Sequence, residues 1–173
     1  KCAMKMTDLC EMHYSRVHSA PILSGVYTSS LEKGGDLYCD YTALYNNSSV
    51  NGLGLATAAD SLIAIKKLVY DDKAFTLEKL TEILKSNWEN QEPLRLMIKN
   101  KFPKFGLNDE NVNKIVKDIV DVMYEAIGGK PNLKGGVYRL GLFSINWRWE
   151  FGEKTGASAD GRLAGETLSQ NTS

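Results

Sequence analysis

The spacing of apolar residues predicts a chain built mainly of helices. Before residue 135 the apolar side chains recur every three or four positions, which is the period of a helix buried on one face. Glycine or proline pairs, such as those at 34–35 and 128–131, separate these periodic runs and mark helix ends. The pattern predicts helices over about 3–17, 21–33, 55–71, 77–88, 92–102 and 109–127.

Two of these runs also predict which side chains face a core. In the second helix, which begins at Pro21, and in the helix after the Gly52–Gly54 turn, one apolar stripe is expected to point inward. The stripe residues are Ile22, Leu23, Val26 and Leu31 in the first case, and Ala58, Leu62, Ile65 and Val69 in the second. Thr76 and Asn108 are predicted to be N-caps, because their side chains can accept a hydrogen bond from the next turn.

The pattern changes after Gly135–Gly136. Val137–Phe151 is rich in aromatic and β-branched residues, which predicts a strand or extended segment whose Arg148 and Glu150 share one face. Gly152–Glu166 is predicted to be a structured loop, and 36–51 a loop with a short extended piece around 37–41. The sequence therefore predicts one helix-dominated α/β unit, mainly helical over 1–134, with a β element and a glycine-rich loop over 135–173.

Composition and charge narrow the class of protein. Of the 173 residues, 43% are hydrophobic and 24% charged, with 21 basic and 21 acidic side chains. That apolar content can bury a core, and the absence of basic excess argues against a nucleic-acid partner. No run reaches the roughly 18 apolar residues of a membrane helix, and the three cysteines form no disulfide pattern. We expect a cytoplasmic protein with no membrane partner.

Several short patterns suggest chemistry, but packing explains each of them better. Gly52–Thr57 resembles a phosphate-binding turn without its third glycine. Cys10, His13 and His18 lack a second ligand pair for zinc, so no metal site is predicted, and Cys39 has no evident base partner. Asp60 is expected to cap its own helix or, alternatively, to orient a neighbouring loop.

Several segments together resemble the glycyl radical enzyme family, which includes pyruvate formate-lyase. The last of these segments, Thr155–Glu166, is the most specific, because it is similar to the family's Thr-Gly-Ala-x-Pro-Asp-Gly-Arg-x-Ala-Gly-Glu signature. The segments that carry the resemblance are Gly52–Gly54, Ala59–Val69, Thr76–Asn87, Pro103–Asp109, Gly135–Arg139 and Thr155–Glu166.

The resemblance implies a ten-stranded α/β barrel and a thiyl-radical mechanism. In the family, a glycyl radical installed by a radical SAM activating enzyme oxidises a cysteine, whose thiyl radical then attacks a small organic substrate. It also implies a homodimeric, anaerobic parent enzyme that is a lyase, a dehydratase or a formate acetyltransferase. No cofactor is expected within this chain.

The sequence departs from the family pattern at several positions. None of the three cysteines lies in the family's Gly-Cys-Val-Glu loop, and no Arg-Val-x-Gly-Tyr loop is present. Leu107 is inserted, and Ala159 stands where the family has proline. We therefore expect a fragment between the two catalytic loops that is inactive by itself and contains no catalytic residue.

The resemblance also suggests where the substrate would lie. By position alone, Phe143, Ser144 and Asn146 are expected to line the barrel interior, with Trp147 and Trp149 in packing roles. Two alternatives remain open at this stage. One is a free-standing helical interaction module or non-catalytic subunit, and the other is a nucleotide-binding domain that uses Gly52–Thr57.

Overall fold

The computed structural model is rich in helix, with a small sheet. It describes residues 1–142 and 146–169, and for positions 15 and 16 the backbone alone. The helix-dominated α/β class predicted from the sequence is confirmed. The described helices are α1 (Cys2–Val17), α2 (Pro21–Ser24), α3 (Thr28–Lys33), α4 (Leu55–Ile65), α5 (Leu77–Lys85), α6 (Glu92–Lys101), α7 (Glu110–Ile127) and α8 (Arg148–Glu153), and the strands are β1 (Ser48–Gly52) and β2 (Tyr138–Leu142). A π-helical segment, Lys66–Asp71, continues α4.

The two strands pair with each other in one sheet. They run in the same direction, because the backbone near Asn46 lies against Gly136 and Asn51 lies against Gly141. A Cβ atom on Gly136 would lie 2.3 Å from the Asn46 carbonyl oxygen, so only glycine fits there. Strand β1 is a correction to the sequence prediction, which placed a loop at these residues and a short extended piece at 37–41.

The chain divides into two compact units. Unit 1 is Lys1–Asn51 with Val122–Gly141, and unit 2 is Gly52–Asp121 with the described residues from Leu142 onward. The two apolar clusters found among the described residues both lie in unit 2. The first contains Ala64, Leu68, Leu80, Ile83, Trp88, Ile98, Phe102 and Ala159, and the second Ala59, Ile63 and Val112.

Polar contacts, rather than an apolar stripe, organise residues 20–42 of unit 1. The carboxylate of Asp36 accepts hydrogen bonds from the backbone N–H groups of Ala20 (2.8 Å), Tyr38 (2.8 Å) and Cys39 (3.0 Å). Burial acts to raise the pKa of Asp36, but the N–H groups of Cys39, Tyr38 and Ala20 outweigh it and hold that pKa at about 2. This charge-assisted network fixes 36–40 as a turn.

The inward-facing stripe predicted for the second helix is therefore wrong. The predicted helix is interrupted and forms α2 and α3 instead, while Gly34 ends α3 in the left-handed conformation as expected. Ile22 is 89% exposed, and Val26 and Leu31 are also exposed. No apolar cluster of the described residues lies beneath them.

The stripe predicted on this helical run is confirmed at Ile65 and Val69, which pack against the first cluster, and wrong at its other two positions. The run packs on more than one side. Ala59 and Ile63 contact Val112 in one cluster, and Ala64 belongs to the other. Ala58 and Leu62 are exposed. A single-stripe pattern fails wherever a helix is buried on two faces.

Helix ends test two further predictions. Thr76 is the N-cap of α5, as expected, since its side-chain oxygen accepts a hydrogen bond from Lys79 N–H at 3.2 Å. The N-cap predicted at Asn108 is wrong. Asp109 accepts from the N–H groups of Asn111 and Val112 instead, while Asn108 adopts a left-handed conformation with φ of 57°.

The extended segment predicted over 137–151 is only partly strand. β2 ends at Leu142, and Arg148–Glu153 forms helix α8. The alternation of Arg148 and Glu150 therefore does not define a strand face. No described helix is both long and apolar enough to cross a membrane.

A core truncation should separate the packed core of unit 2 from an exposed apolar residue of the same unit. Leu80 is 1% exposed, so Leu80→Ala should cost about 2–5 kcal/mol in the free energy of unfolding. Leu107→Ala, at a side chain that is 73% exposed in unit 2, is the control, and it should change that value by at most about 0.5 kcal/mol. Urea denaturation measures both, and equal losses would contradict the assignment of the core.

Candidate functional site

The candidate site is built on the signature loop, which we define as Thr155–Glu166. Its centre is Arg162, whose side chain is buried at 5% exposure. The guanidinium donates to the backbone carbonyls of Glu166 (2.6 Å), Thr155 (3.3 Å) and Gly156. Its Nε also donates to the Ser158 hydroxyl at 3.1 Å. One side chain thus holds both ends of the loop together.

The tip of the signature loop is a tight turn. Asp160 accepts hydrogen bonds from the Ser158 hydroxyl (2.6 Å) and from the backbone N–H of Arg162 (3.3 Å). Gly161 has φ of 92°, a conformation that favours glycine. A Cβ atom there would lie 2.9 Å from the backbone oxygen of Arg95. Both conformation and space therefore require glycine at position 161 of this Asp-Gly turn.

Side chains from the helical part of unit 2 anchor this turn. Arg95, on α6, is 8% exposed and donates to the carbonyl of Gly161 at 3.1 Å. The same guanidinium makes two 2.7 Å hydrogen bonds to Glu92, and this hydrogen bonding lowers the pKa of that carboxyl. Asn87 accepts from the N–H of Ala164 at 2.7 Å. The loop is thus fixed from two helical segments.

A second anchor joins the loop to α4 through Lys104. The Lys104 ammonium donates to the Asp160 carbonyl at 3.1 Å and lies 3.7 Å from the Asp60 carboxylate. Asp60 also accepts from the N–H of Phe105 at 2.8 Å. Of the two roles considered for Asp60, the structure supports the orientation of a neighbouring loop, because its partners lie at 104–105 rather than in its own first turn.

Burial changes the proton affinity of Asp60. Desolvation raises the pKa of this carboxyl, while the Phe105 N–H and the Lys104 charge oppose that effect. Ser61, the next residue, has a buried hydroxyl with no hydrogen-bond partner among the described residues.

A small polar cavity of about 230 Å³ lies beside the signature loop in unit 2, with Lys104, Asp160 and Arg162 among its lining residues. It lies beside the start of α4, where the N–H of Thr57 donates to the Ser169 hydroxyl at 2.8 Å. Strand β1 precedes this helix, where the sequence predicted a loop. However, one of the first N–H groups of α4, that of Thr57, already donates to Ser169. The lining residues are Thr57, Lys99, Lys104, Asp160, Arg162, Glu166, Thr167 and Ser169.

The substrate residues predicted from the resemblance are not brought together by the described structure. Phe143 and Ser144 lie outside the described residues. Asn146 is exposed in a turn just before α8. Their predicted role as lining residues therefore stays a prediction.

The other candidate residues show no activated chemistry. Among the described residues no group of three or more His, Cys, Asp or Glu side chains is placed to hold a metal ion. The His18 ring instead packs against Tyr14 and Tyr38. Burial, followed by Asp36 and Asp40, raises the pKa of the Cys39 thiol, which is the opposite of what a nucleophilic thiolate needs.

Sequence reasoning missed Arg95 as a part of the site. It sits in an ordinary amphipathic helix, and nothing in its neighbourhood in the sequence marks it as a contact of Gly161. Lys104 lies within Pro103–Asp109, but nothing in that segment marks it as a contact of Asp160. Arg95 and Lys104 are each separated in sequence by more than 50 positions from the loop residue they contact, so no local pattern could have identified them.

Comparison with known proteins assigns the family. The family described as Pyruvate formate lyase-like matches residues 1–152. The chain is 34% identical to the trans-4-hydroxy-L-proline dehydratase of Clostridioides difficile over 166 residues, and 32% identical to the (2S)-3-sulfopropanediol dehydratase of Klebsiella oxytoca over 165. Those matches cover 96% and 95% of this chain.

A solved structure supports the same assignment. The crystal structure of a glycyl radical enzyme from Archaeoglobus fulgidus superposes with a TM-score of 0.86 at 25% identity, and it covers 96% of this chain. The chain belongs to the pyruvate formate-lyase-like family of glycyl radical enzymes. It spans about 20% of the length of the two curated relatives and 21% of the solved chain.

A glycine substitution tests the geometry of the loop tip. Gly161→Ala should destabilise the protein by more than about 1 kcal/mol, because the added methyl meets the Arg95 backbone and the positive φ disfavours alanine. Gly156→Ala is the matched control, since its Cβ would meet nothing within 4 Å. Thermal or urea unfolding measures both variants. Similar stability of the two would show that the tip is not constrained as described.

The raised pKa of Asp60 predicts a dependence of stability on pH. The folded protein holds this proton more tightly than the unfolded chain, whose Asp pKa is near 3.8. Stability from this group is therefore fully present below 3.8 and falls as the pH rises through the raised pKa. The Asp60→Asn variant, which keeps an acceptor for Phe105, should lack this decrease. Asp71→Asn, at an exposed site, should retain it; an unchanged profile in Asp60→Asn would contradict the assignment.

Proposed function

We propose that this chain is an internal part of a glycyl radical enzyme that acts as a dehydratase or lyase on a small organic substrate. The proposed parent is a cytoplasmic, anaerobic homodimer. A radical SAM activating enzyme would install its glycyl radical, and the resulting thiyl radical would abstract hydrogen from, or add to, the substrate. Under this proposal the chain by itself carries no radical residue and does not turn over substrate.

The observation that carries this proposal is the match along the chain to dehydratases of the family. Two curated relatives that cover at least 95% of the chain are named dehydratases, for trans-4-hydroxy-L-proline and for (2S)-3-sulfopropanediol. Both substrates are small hydroxylated molecules with an anionic group. This supports a dehydratase or lyase more directly than a formate acetyltransferase.

The residues of this chain would act by position rather than as radical carriers. Under the proposal, Arg162, Arg95 and Lys104 keep the signature loop in one conformation while radical chemistry proceeds elsewhere in the enzyme. Phe143, Ser144 and Asn146 are proposed to contact substrate. None of Cys2, Cys10 and Cys39 is proposed as the thiyl residue, since none lies in the family's cysteine-loop sequence.

Electron paramagnetic resonance (EPR) of the full-length protein tests the proposal. After anaerobic incubation with its activating enzyme, S-adenosylmethionine and a reductant, the protein should show a glycyl radical signal, because the family's chemistry depends on that radical. The control is the same incubation without S-adenosylmethionine. Residues 1–173 treated in the same way should give no signal.

Absence of the radical in a fully activated full-length protein would contradict the proposal. The remaining interpretation would then be a non-catalytic helical subunit or interaction module. A radical signal from residues 1–173 alone would show that the radical residue lies within this chain.

A further inference from the structure

Unit 1 has almost no hydrophobic core of its own. Among its described residues, Tyr138 is the only buried hydrophobic or aromatic side chain, at 1% exposure. Its remaining buried side chains are polar, namely Ser24, Ser30, Thr42 and Ser48. Meanwhile it exposes a large set of apolar and aromatic side chains, including Met6, Leu9, Met12, Tyr14, Val17, Ile22, Val26, Tyr27, Leu31, Leu44 and Tyr45. Exposed apolar surface of this extent marks a protein contact.

Polar contacts hold one face of α1 in unit 1. The Tyr138 hydroxyl donates to Asp8 and to the Met4 carbonyl. The Glu11 carboxylate accepts from Ser48 at 2.8 Å and pairs with Lys134 at 2.9 Å. Positions 4, 8 and 11 lie on the same side of a helix, so this side is already occupied.

The next face of α1 borders an open cavity. Met6, Cys10 and Tyr14 are spaced by four residues and form one ridge along the helix. They line a groove of about 730 Å³ within unit 1. Four further tyrosines line the groove, and the Glu11–Lys134 ion pair contributes polar atoms. The other lining residues are Thr7, Tyr27, Leu37, Tyr38, Tyr41, Ala43, Tyr45, Asn46 and Asn47.

We propose that this groove, which we call the α1 groove, receives an amphipathic helix from the same polypeptide, outside residues 1–173. The inference rests on the proposed function, under which the chain is part of a longer enzyme. The length of chain available supports a partner in the same molecule, since the curated relatives are about five times as long as the stretch matched here.

The shape and chemistry of the α1 groove define its occupant. A ridge of residues four apart packs against the grooves of another helix, which favours a helix over an extended segment. The tyrosine rings of the groove favour an occupant with an apolar face whose side chains recur every three or four residues. The Glu11–Lys134 pair, with side chains 16% and 18% exposed, and the nearby Asn46 and Asn47 would face a polar end of that helix.

Thiol reactivity in the full-length protein tests whether the α1 groove is covered. Cys10 lines the groove and is exposed in the structure described here, whereas Cys2 is exposed and does not line it. In the native full-length protein, alkylation of Cys10 should be at least about tenfold slower than in the urea-unfolded protein. Cys10→Ser and Cys2→Ser variants assign each rate. Equal Cys10 rates in the two states would overturn the inference.

Photocrosslinking identifies what covers the α1 groove. A diazirine amino acid at position 6 should crosslink to an apolar peptide of the same chain outside 1–173, and one at position 97, on α6 of unit 2, should not yield that peptide. Mixing isotopically light and heavy protein separates crosslinks within a chain from those between copies. A crosslink to a second copy, to a peptide within 1–173, or to no peptide would overturn the inference.

The EPR measurement on the same preparation separates this inference from the proposed function. A radical signal with a freely reactive Cys10 would leave the enzyme assignment intact and refute the helix in the α1 groove. A protected Cys10 without a radical signal would support the helix in the α1 groove and refute the enzyme assignment. A small-molecule occupant is excluded if protection persists after dialysis, and loss of protection on dialysis would overturn the proposal.

Discussion

The buried guanidinium of Arg162 is the interaction on which the described part of the site depends. It donates to three backbone carbonyls and one hydroxyl, and makes no ion pair with a described carboxylate. Hydrogen bonds to a charged group contribute about 1.5–3 kcal/mol each, and a buried charge without them is costly. The loop therefore cannot open without breaking these hydrogen bonds and leaving the Arg162 cation without its partners. Arg95 and Lys104 then tie the loop to the helical part of unit 2.

The sequence predicted the elements that are determined by residues close to one another in the chain. The periodic runs identified α1, α5, α6 and α7, and Thr76 was recognised as a cap because its partner is only three residues away. The prediction failed where distant contacts decide the structure. β1 contains Ser48 and Asn51 and has no apolar alternation, so only its pairing with β2 makes it a strand. α8 was mistaken for a strand because its aromatic residues favour one.

The site was predictable in part for the same reason. The Asp-Gly turn follows from residues next to each other in sequence, and the resemblance identified the loop that contains it. Arg95 and Lys104 reach Gly161 and Asp160 across long sequence distances, and no local signal marks them. Apolar periodicity misled in unit 1, where Ile22 and Leu31 follow a helical pattern but face solvent within this chain. Such residues find a core only when a partner supplies the other side of it.

Our central proposal is that these 173 residues are one part of a much longer enzyme. The intact mass of the polypeptide in its native source, measured by mass spectrometry, tests this most directly. We predict a mass several times the 19.2 kDa calculated for this chain, since the chain matches only about a fifth of the length of its curated relatives. A mass near 19.2 kDa would contradict it, because no polypeptide would remain to carry the cysteine and glycine loops.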